Sequence, residues 1–136
     1  MPWFGKLGKY FCANKITSDM KTNKKYFMEC HVAGRQYHDA DDVWEDLKVG
    51  TKLKLVRDME NRYDPEAVAL VYEYEREECC EPVPYLIGYI PKALNKELAI
   101  LLEMGWDDIF ECRISMINPQ AHYEEQIHVS IKVLKR

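Results

Sequence analysis

The chain has 136 residues, the size of one ordinary domain, of which 47% are hydrophobic and 31% charged. This composition is typical of a globular protein and excludes disordered and membrane-spanning classes, because no segment approaches the run of about 20 apolar residues that a membrane span needs. The net charge of −4 argues against sequence-independent coating of nucleic acid, which depends on many Lys and Arg contacts to phosphate, but it leaves room for a small local site.

The first 25 residues differ in charge from the rest of the chain. They hold six lysines against the single acid Asp19, which leaves a net charge of −9 on the remaining residues. We therefore expect a basic leader at 1–25 and a folded domain at 26–136. The leader could be an accessory electrostatic arm or a solvated, disordered N-terminus. It has no apolar run long enough for a signal peptide, so we expect a cytoplasmic protein.

The first half of the chain predicts three strands and one short helix. Asp39–Leu47 has acids near its start and an apolar side formed by Val43, Trp44 and Leu47, which favours a short helix. Residues 61–65 combine Asn, Asp and Pro, which favour a turn. The strands, marked by alternation or by β-forming residues, are expected at Tyr26–Gly34, Lys52–Arg57 and Ala67–Tyr74.

The second half predicts three more strands and the one full helix. Helix 92–104 is expected to begin after Pro91 and to end at Gly105. Its apolar stripe consists of Leu94, Leu98, Leu101 and Leu102. The strands are expected at Tyr85–Ile90, Ile109–Ile117 and Gln126–Leu134. The whole pattern indicates a mainly β (α+β) fold, a small antiparallel barrel of about six strands with one full helix and one short helix.

The five cysteines indicate neither disulfides nor a metal site. Their number is odd and no CxxC spacing occurs, so we expect all of them to be reduced, with Cys30 and Cys112 as core residues inside strands. A zinc site built from Cys79, Cys80 and a histidine is disfavoured, because adjacent cysteines rarely bind one tetrahedral ion together. We expect no metal and no cofactor.

The local signatures of nucleotide, flavin, metalloprotease and hydrolase chemistry are missing from the sequence, so we expect a binding domain and not an enzyme. Scattered acids could still assemble a metal-dependent nuclease, but no dense carboxylate–histidine cluster supports one. The acids of 39–46 are better explained as a solvated helix face.

Three short loops next to strands combine polar and aromatic residues, at Gly34–His38, Arg57–Val68 and Ile87–Lys92. Aromatic rings stack on bases, and Arg, Lys and a helix N-terminus meet phosphate. A carboxylate can accept a hydrogen bond from a terminal sugar hydroxyl but repels a phosphate. The three loops together therefore suit the end of a nucleic-acid strand.

Each of these residue types also has a purely structural explanation. Tyr37 and Tyr63 could cap the core, and Asp64 could do no more than fix the turn before Pro65. Lys92 could be an ordinary surface residue of the first helical turn.

The three loops, in this order, resemble the HIRAN domain family. The first motif is Gly34 followed by the ring pair Tyr37 and His38. The middle motif is Arg57-Asp58 and then Asn-Arg-Tyr-Asp-Pro-Glu-Ala-Val at 61–68, and it is the most specific of the three. The last is Ile-Gly-Tyr-Ile-Pro at 87–91, before a helix that contains Leu98-Ala99. The match runs from about residue 27 to 133.

The resemblance implies an OB-like β-barrel that recognises single-stranded DNA at a free 3′-hydroxyl end. In this family the domain occurs alone or attached to helicase-type ATPases, ubiquitin ligases or nucleases of DNA repair and replication-fork processing. Nothing in this chain matches an ATPase motor, so helicase, ATPase or nuclease activity would come from a partner protein. We expect a monomer without a membrane partner. The alternative is a protein-interaction or scaffold domain that uses the acidic surface of the barrel.

The resemblance also implies roles for individual residues. Tyr37 and His38 match the ring pair at the terminal nucleotides. Gln36 stands where the best-known members have arginine, and the neighbouring Arg35 could substitute for it in a phosphate contact. Asp64 matches the acceptor for the 3′-hydroxyl. The complete implied DNA-binding set is Arg35, Gln36, Tyr37, His38, Asn61, Asp64, Tyr89 and Lys92.

Overall fold

The computed structural model of the protein describes residues 23–74 and 81–136. The predicted leader lies outside the described residues except for its last three positions. Cys12, Cys79 and Cys80, including the disfavoured zinc site, also lie outside them.

In the described residues, six strands form one antiparallel sheet in the order β1-β6-β5-β2-β3-β4, which confirms the predicted mainly β class. Each strand overlaps its predicted segment, although β1 starts earlier, at Lys24, inside the predicted leader. The strands are β1 Lys24–His31, β2 Lys52–Arg57, β3 Val68–Tyr74, β4 Val83–Tyr89, β5 Phe110–Ile117 and β6 Ile127–Leu134.

The alternating strand sequences place one face of the sheet in the core. In β2, Leu53 and Leu55 are buried while the neighbouring lysines are exposed. In β6 the side chains of Ile127, Val129 and Ile131 are completely buried. This period of two is what a sheet with one buried face requires.

Within the part of the chain that the structure describes, one isolated bridge, between Ala33 and Tyr89, joins the two edges of the sheet. The amide nitrogen of each residue donates to the carbonyl oxygen of the other, at 2.8 and 2.9 Å. Gly88 makes this approach possible, because a Cβ there would lie 2.7 Å from the Ala33 carbonyl oxygen and against the Val32 side chain. The barrel is therefore nearly closed, with one bridge in place of a full ladder between β1 and β4.

The full helix is shorter than predicted. A 3-10 turn at Lys92–Leu94 comes first, and the α-helix, α1, spans Lys96–Glu103. Leu98 and Leu102 are buried as expected and Leu101 is half-buried, but Leu94 is 42% exposed and does not belong to the apolar stripe. The reason is that Leu94 lies on the separate 3-10 turn, so it does not follow the period of α1.

The predicted short helix is a 3-10 helix at Asp39–Asp46, interrupted at Val43 by non-helical backbone angles. Val43 and Leu47 are buried as predicted. The amide nitrogen of Leu86 donates to Asp39 Oδ2 at 3.3 Å, which fastens this segment to β4. The break at Val43 divides the segment into two short pieces, and short pieces are where the tighter 3-10 form is commonly found.

Cys30 and Cys112 are buried free thiols, as the sequence predicts. Burial raises the pKa of Cys30 to about 11 and also raises the pKa of Cys112. Both are therefore core residues with unreactive thiols. In the described part of the chain, no helix is both long enough and apolar enough to cross a membrane.

Candidate functional site

The three loops meet at one end of the barrel and line a pocket of about 830 Å³. The Ala33–Tyr89 bridge lies at this pocket, since both of its residues are among those that line it. Six of the eight predicted binding residues line the pocket: Tyr37, His38, Asn61, Asp64, Tyr89 and Lys92.

The first loop turns at Gly34, whose φ of +69° is a left-handed conformation that favours glycine. Its amide nitrogen donates to Glu124 Oε1 at 3.1 Å, which fixes the loop to the β5–β6 hairpin. The His38 ring packs edge-on against the Tyr89 ring, with centroids 5.4 Å apart. Tyr37 is 78% exposed, so it does not cap the core.

The second loop is held by its own side chains. Asn61 Oδ1 accepts hydrogen bonds from the amide nitrogens of Tyr63 and Asp64, at 2.8 and 2.9 Å. Asp64 Oδ1 in turn accepts from the amide nitrogen of Glu66 at 2.9 Å. A sequence with Asn and Asp at these positions favours local turns of this kind, in which the side chain accepts from the backbone. Tyr63 is 90% exposed, so it does not cap the core either.

Arg57 and Asp58 connect the second loop to the barrel. The Arg57 guanidinium donates to the carbonyl oxygens of Ala67 and Asp58, at 3.0 and 3.2 Å, and also to that of Pro65. Asp58 Oδ2 accepts a hydrogen bond of 2.8 Å from the Tyr89 hydroxyl. Burial and then this carboxylate raise the pKa of Tyr89, so its phenol remains protonated and keeps donating.

Asp64 fixes its turn and also contributes to the wall of the pocket. Its Oδ2 accepts a hydrogen bond of 2.6 Å from Asn95 Nδ2, and its Oδ1 binds the Glu66 amide. An ionised carboxylate has about four lone-pair sites, so acceptor capacity remains after these two bonds. Both explanations of Asp64 left open by the sequence are compatible with this geometry.

Arg35 and Gln36 are not brought to the pocket. Arg35 is buried, pairs with Asp41 Oδ1 at 2.7 Å, and places its guanidinium 4.4 Å from the centre of the Trp44 ring. The structure thus does not place Arg35 for the expected phosphate contact, because its guanidinium is buried away from the pocket and its Nη2 is paired with Asp41. Gln36 has a buried Oε1 with no hydrogen-bond partner and does not line the pocket.

Arg62 and Tyr63 line the pocket but were not among the predicted binding residues. Both lie inside the motif at 61–64, between Asn61 and Asp64. Arg62 and Lys92 are exposed cations at this pocket. The position of Arg62 within that motif is the signal that would have identified it. The side chains of Asn61 and Asp64 hold the turn, so the residues between them are exposed.

Within residues 23–74 and 81–136, no group of three or more His, Cys, Asp or Glu side chains has a geometry that could hold a metal ion. The described lining of the pocket offers aromatic rings, one carboxylate and two cations. This combination suits the binding of an aromatic, anionic ligand.

Comparisons with known proteins agree with this architecture. The model of the HIRAN domain family matches residues 25–133. A Fanconi-associated nuclease 1 homolog of Oryza sativa subsp. japonica is 29% identical over 105 residues, which are 76% of this chain but only 9% of that relative.

Two solved structures are similar. A protein from Lactobacillus plantarum superposes with a TM-score of 0.61 at 19% identity, over 83% of this chain and 97% of its own. The HIRAN domain of human HLTF gives a TM-score of 0.49 at 16% identity, over 83% and 82% of the two chains. The Lactobacillus structure supports a shared fold.

Proposed function

Because this chain belongs to the HIRAN domain family, we propose that it binds single-stranded DNA at a free 3′-hydroxyl end. The observation that carries this proposal is the composition of one pocket. Two exposed tyrosine rings, Tyr37 and Tyr63, stand beside the carboxylate of Asp64 and the cations Arg62 and Lys92.

The exposed rings support a role in stacking. Tyr37 is 78% exposed and Tyr63 is 90% exposed. Rings as exposed as these contribute little to a core. Stacking of a base on an aromatic ring is independent of sequence and contributes about 1–3 kcal/mol per base. The terminal bases would therefore be held without a strong base preference.

The carboxylate supports recognition of the end of the strand. A 3′-hydroxyl can donate to Asp64, and a hydrogen bond to a charged group is among the stronger kinds. A 3′-phosphate removes this donor and brings like charge to the same place. Both effects disfavour a phosphorylated end.

The cations support contact with the DNA backbone. Arg62 and Lys92 lie at the same pocket as Asp64, where they can meet the phosphates that precede the terminal nucleotide. Among the described residues that line the pocket, Arg62 and Lys92 are the two lysine or arginine side chains, so their electrostatic contribution is local.

We further propose that the protein acts as a monomer in the cytoplasm, in DNA repair or replication-fork processing, beside a helicase or nuclease partner. One relative carries the name of a nuclease, but this chain spans 9% of its length. Any cleavage or unwinding is therefore assigned to a partner and not to this pocket.

A second candidate function is a protein-interaction or scaffold domain. It is favoured by one observation, the exposed acidic side chains of the 3-10 helix at Asp39–Asp46. These acids would serve a basic protein partner and would repel DNA.

A fluorescence-anisotropy titration tests the leading proposal. Wild-type and Asp64→Asn proteins are titrated with one oligonucleotide that carries a 3′-hydroxyl, a 3′-phosphate or a 5′-phosphate. We expect the 3′-phosphate to cost about 2 kcal/mol with the wild type, the 5′-phosphate to cost little, and Asp64→Asn to remove most of the difference.

Salt dependence completes the test. For single strands each phosphate contact contributes about 0.7 to the slope of log affinity against log salt, so Lys92→Gln should lower the slope by about that amount. Lys132→Gln, on β6 and outside the pocket lining, is the matched control. Equal binding of all three oligonucleotides would overturn end recognition, and no binding at either low or high salt would favour the scaffold.

A further inference from the structure

Asn95 occupies the position before α1 at which asparagine commonly caps a helix. Its side chain makes no capping hydrogen bond to the helix. It is nevertheless 1% exposed, the most buried of the polar side chains in the described residues. A buried amide that does not cap its own helix needs another partner, because an unpaired buried polar group is costly.

The partner is the pocket carboxylate. Asn95 Nδ2 donates to Asp64 Oδ2 at 2.6 Å across 31 positions of sequence. The other carboxylate oxygen, Oδ1, is held by the amide of Glu66 at 2.9 Å. Each oxygen thus has one donor, and the two donors together fix the plane of the carboxylate.

The two donors differ in origin. The Glu66 bond is local and would form in any such turn, so it cannot orient the turn relative to the barrel. The Asn95 bond joins the turn to α1, whose residues Leu98 and Leu102 are anchored in the core. Arg57 also anchors the loop, but through the carbonyl oxygens of Pro65 and Ala67. Of the two bonds to the carboxylate itself, only the Asn95 bond comes from outside the loop.

We propose that Asn95 is the positioning residue for end recognition, and that α1 gives up its side-chain cap so that this amide can hold Asp64. Asn95 is not among the residues that line the pocket and acts only through Asp64. This inference rests on the proposed recognition of a 3′-hydroxyl.

Two variants test it. Asn95→Leu keeps the approximate volume and removes the donor. Asn95→Ser supplies a good capping residue that is too short to reach Asp64, so it preserves the start of α1. For each variant the measured quantity is the ratio of affinities for the 3′-hydroxyl and 3′-phosphate oligonucleotides, and thermal unfolding is recorded alongside.

We expect the wild-type ratio to be roughly 10- to 100-fold, the size of a hydrogen bond to a charged group, and both variants to reduce it to about threefold or less. Affinity for the 3′-phosphate oligonucleotide should stay within about threefold of wild type, because stacking does not use Asp64. If Asn95→Leu does not fold, the affinity ratio of Asn95→Ser alone tests the proposal.

Glu111→Gln is the control for stability alone. Glu111 is a buried carboxylate paired with Lys24 and Arg113, and it does not line the pocket. This variant should unfold at lower temperature and keep the wild-type ratio.

Three outcomes overturn the inference. If the Asn95 variants keep the wild-type ratio, positioning is wrong while end recognition stands. If affinities for both oligonucleotides fall equally, Asn95 is only a structural residue. If the wild type itself shows no preference between the two ends, the proposed function fails and this inference fails with it.

Discussion

Gly88 and Ala33 approach each other so closely that a Cβ on Gly88 would lie 2.7 Å from the Ala33 carbonyl oxygen. That carbonyl accepts the Tyr89 amide in the bridge that joins the sheet edges, and Ala33 and Tyr89 both line the pocket. The glycine therefore matters both to the closure of the barrel and to the lining of the pocket.

Gly88→Ala should weaken both folding and binding. The methyl group cannot be accommodated unless backbone moves, and overpacking of this kind costs about 1–3 kcal/mol or more. Gly50→Ala is the control, because Gly50 has open space around it and lies outside the pocket lining, although, unlike Gly88, it has a positive φ of +95°. Its cost should come from backbone strain alone, of about 1–2 kcal/mol. Urea unfolding and DNA titration of both variants check this, and intact binding by folded Gly88→Ala would contradict the link between bridge and pocket.

Removal of either exposed tyrosine ring should weaken DNA binding without destabilising the fold. Tyr37→Ala and Tyr63→Ala are each expected to lose about 1–3 kcal/mol of binding free energy, the contribution of one stacked base. Tyr26→Ala is the matched control, since Tyr26 is 68% exposed on β1 and lies outside the pocket. Anisotropy titrations and thermal melts separate the two effects. Equal losses for all three variants would argue against stacking in the pocket.

The packing of α1 predicts a difference between two residues of the same helix. Leu98 is fully buried, so Leu98→Ala should cost about 2–5 kcal/mol of unfolding free energy. Ile100 is 51% exposed, so Ile100→Ala should have a much smaller effect. Chemical denaturation of both variants measures the difference, and an unchanged midpoint for Leu98→Ala would show that this stripe is not buried.

The lowered pKa of Glu111 predicts a pH-dependent contribution of this residue to the free energy of unfolding. Hydrogen bonds from Lys24 and Arg113 lower its pKa from 4.5 to about 2. Because the folded state holds the ionised form, the contribution is complete above the unfolded pKa and is lost as the pH falls through the folded pKa. Glu111→Gln should therefore be less stable than wild type by about 1.5–3 kcal/mol near neutral pH. The deficit should shrink from about pH 4.5 downwards and disappear near pH 2, and a deficit independent of pH would assign the effect to packing.

The sequence by itself determined the six strands, their mainly β class and the three loops that form the site. Alternation in β2 and β6 and the turn residues at 61–65 are local signals, since each depends on neighbours in sequence. For the same reason the motif at 61–68 could be recognised before any geometry was known.

Only the tertiary structure decided which of the site residues face the pocket and what holds them. Arg35 and Arg62 are chemically the same, yet packing against Trp44 buries the first while the turn exposes the second. The bond from Asn95 to Asp64 spans 31 positions. No local pattern encodes such a pair, because the distance between two side chains far apart in sequence is set by how the sheet and helix pack and not by their neighbours in the chain.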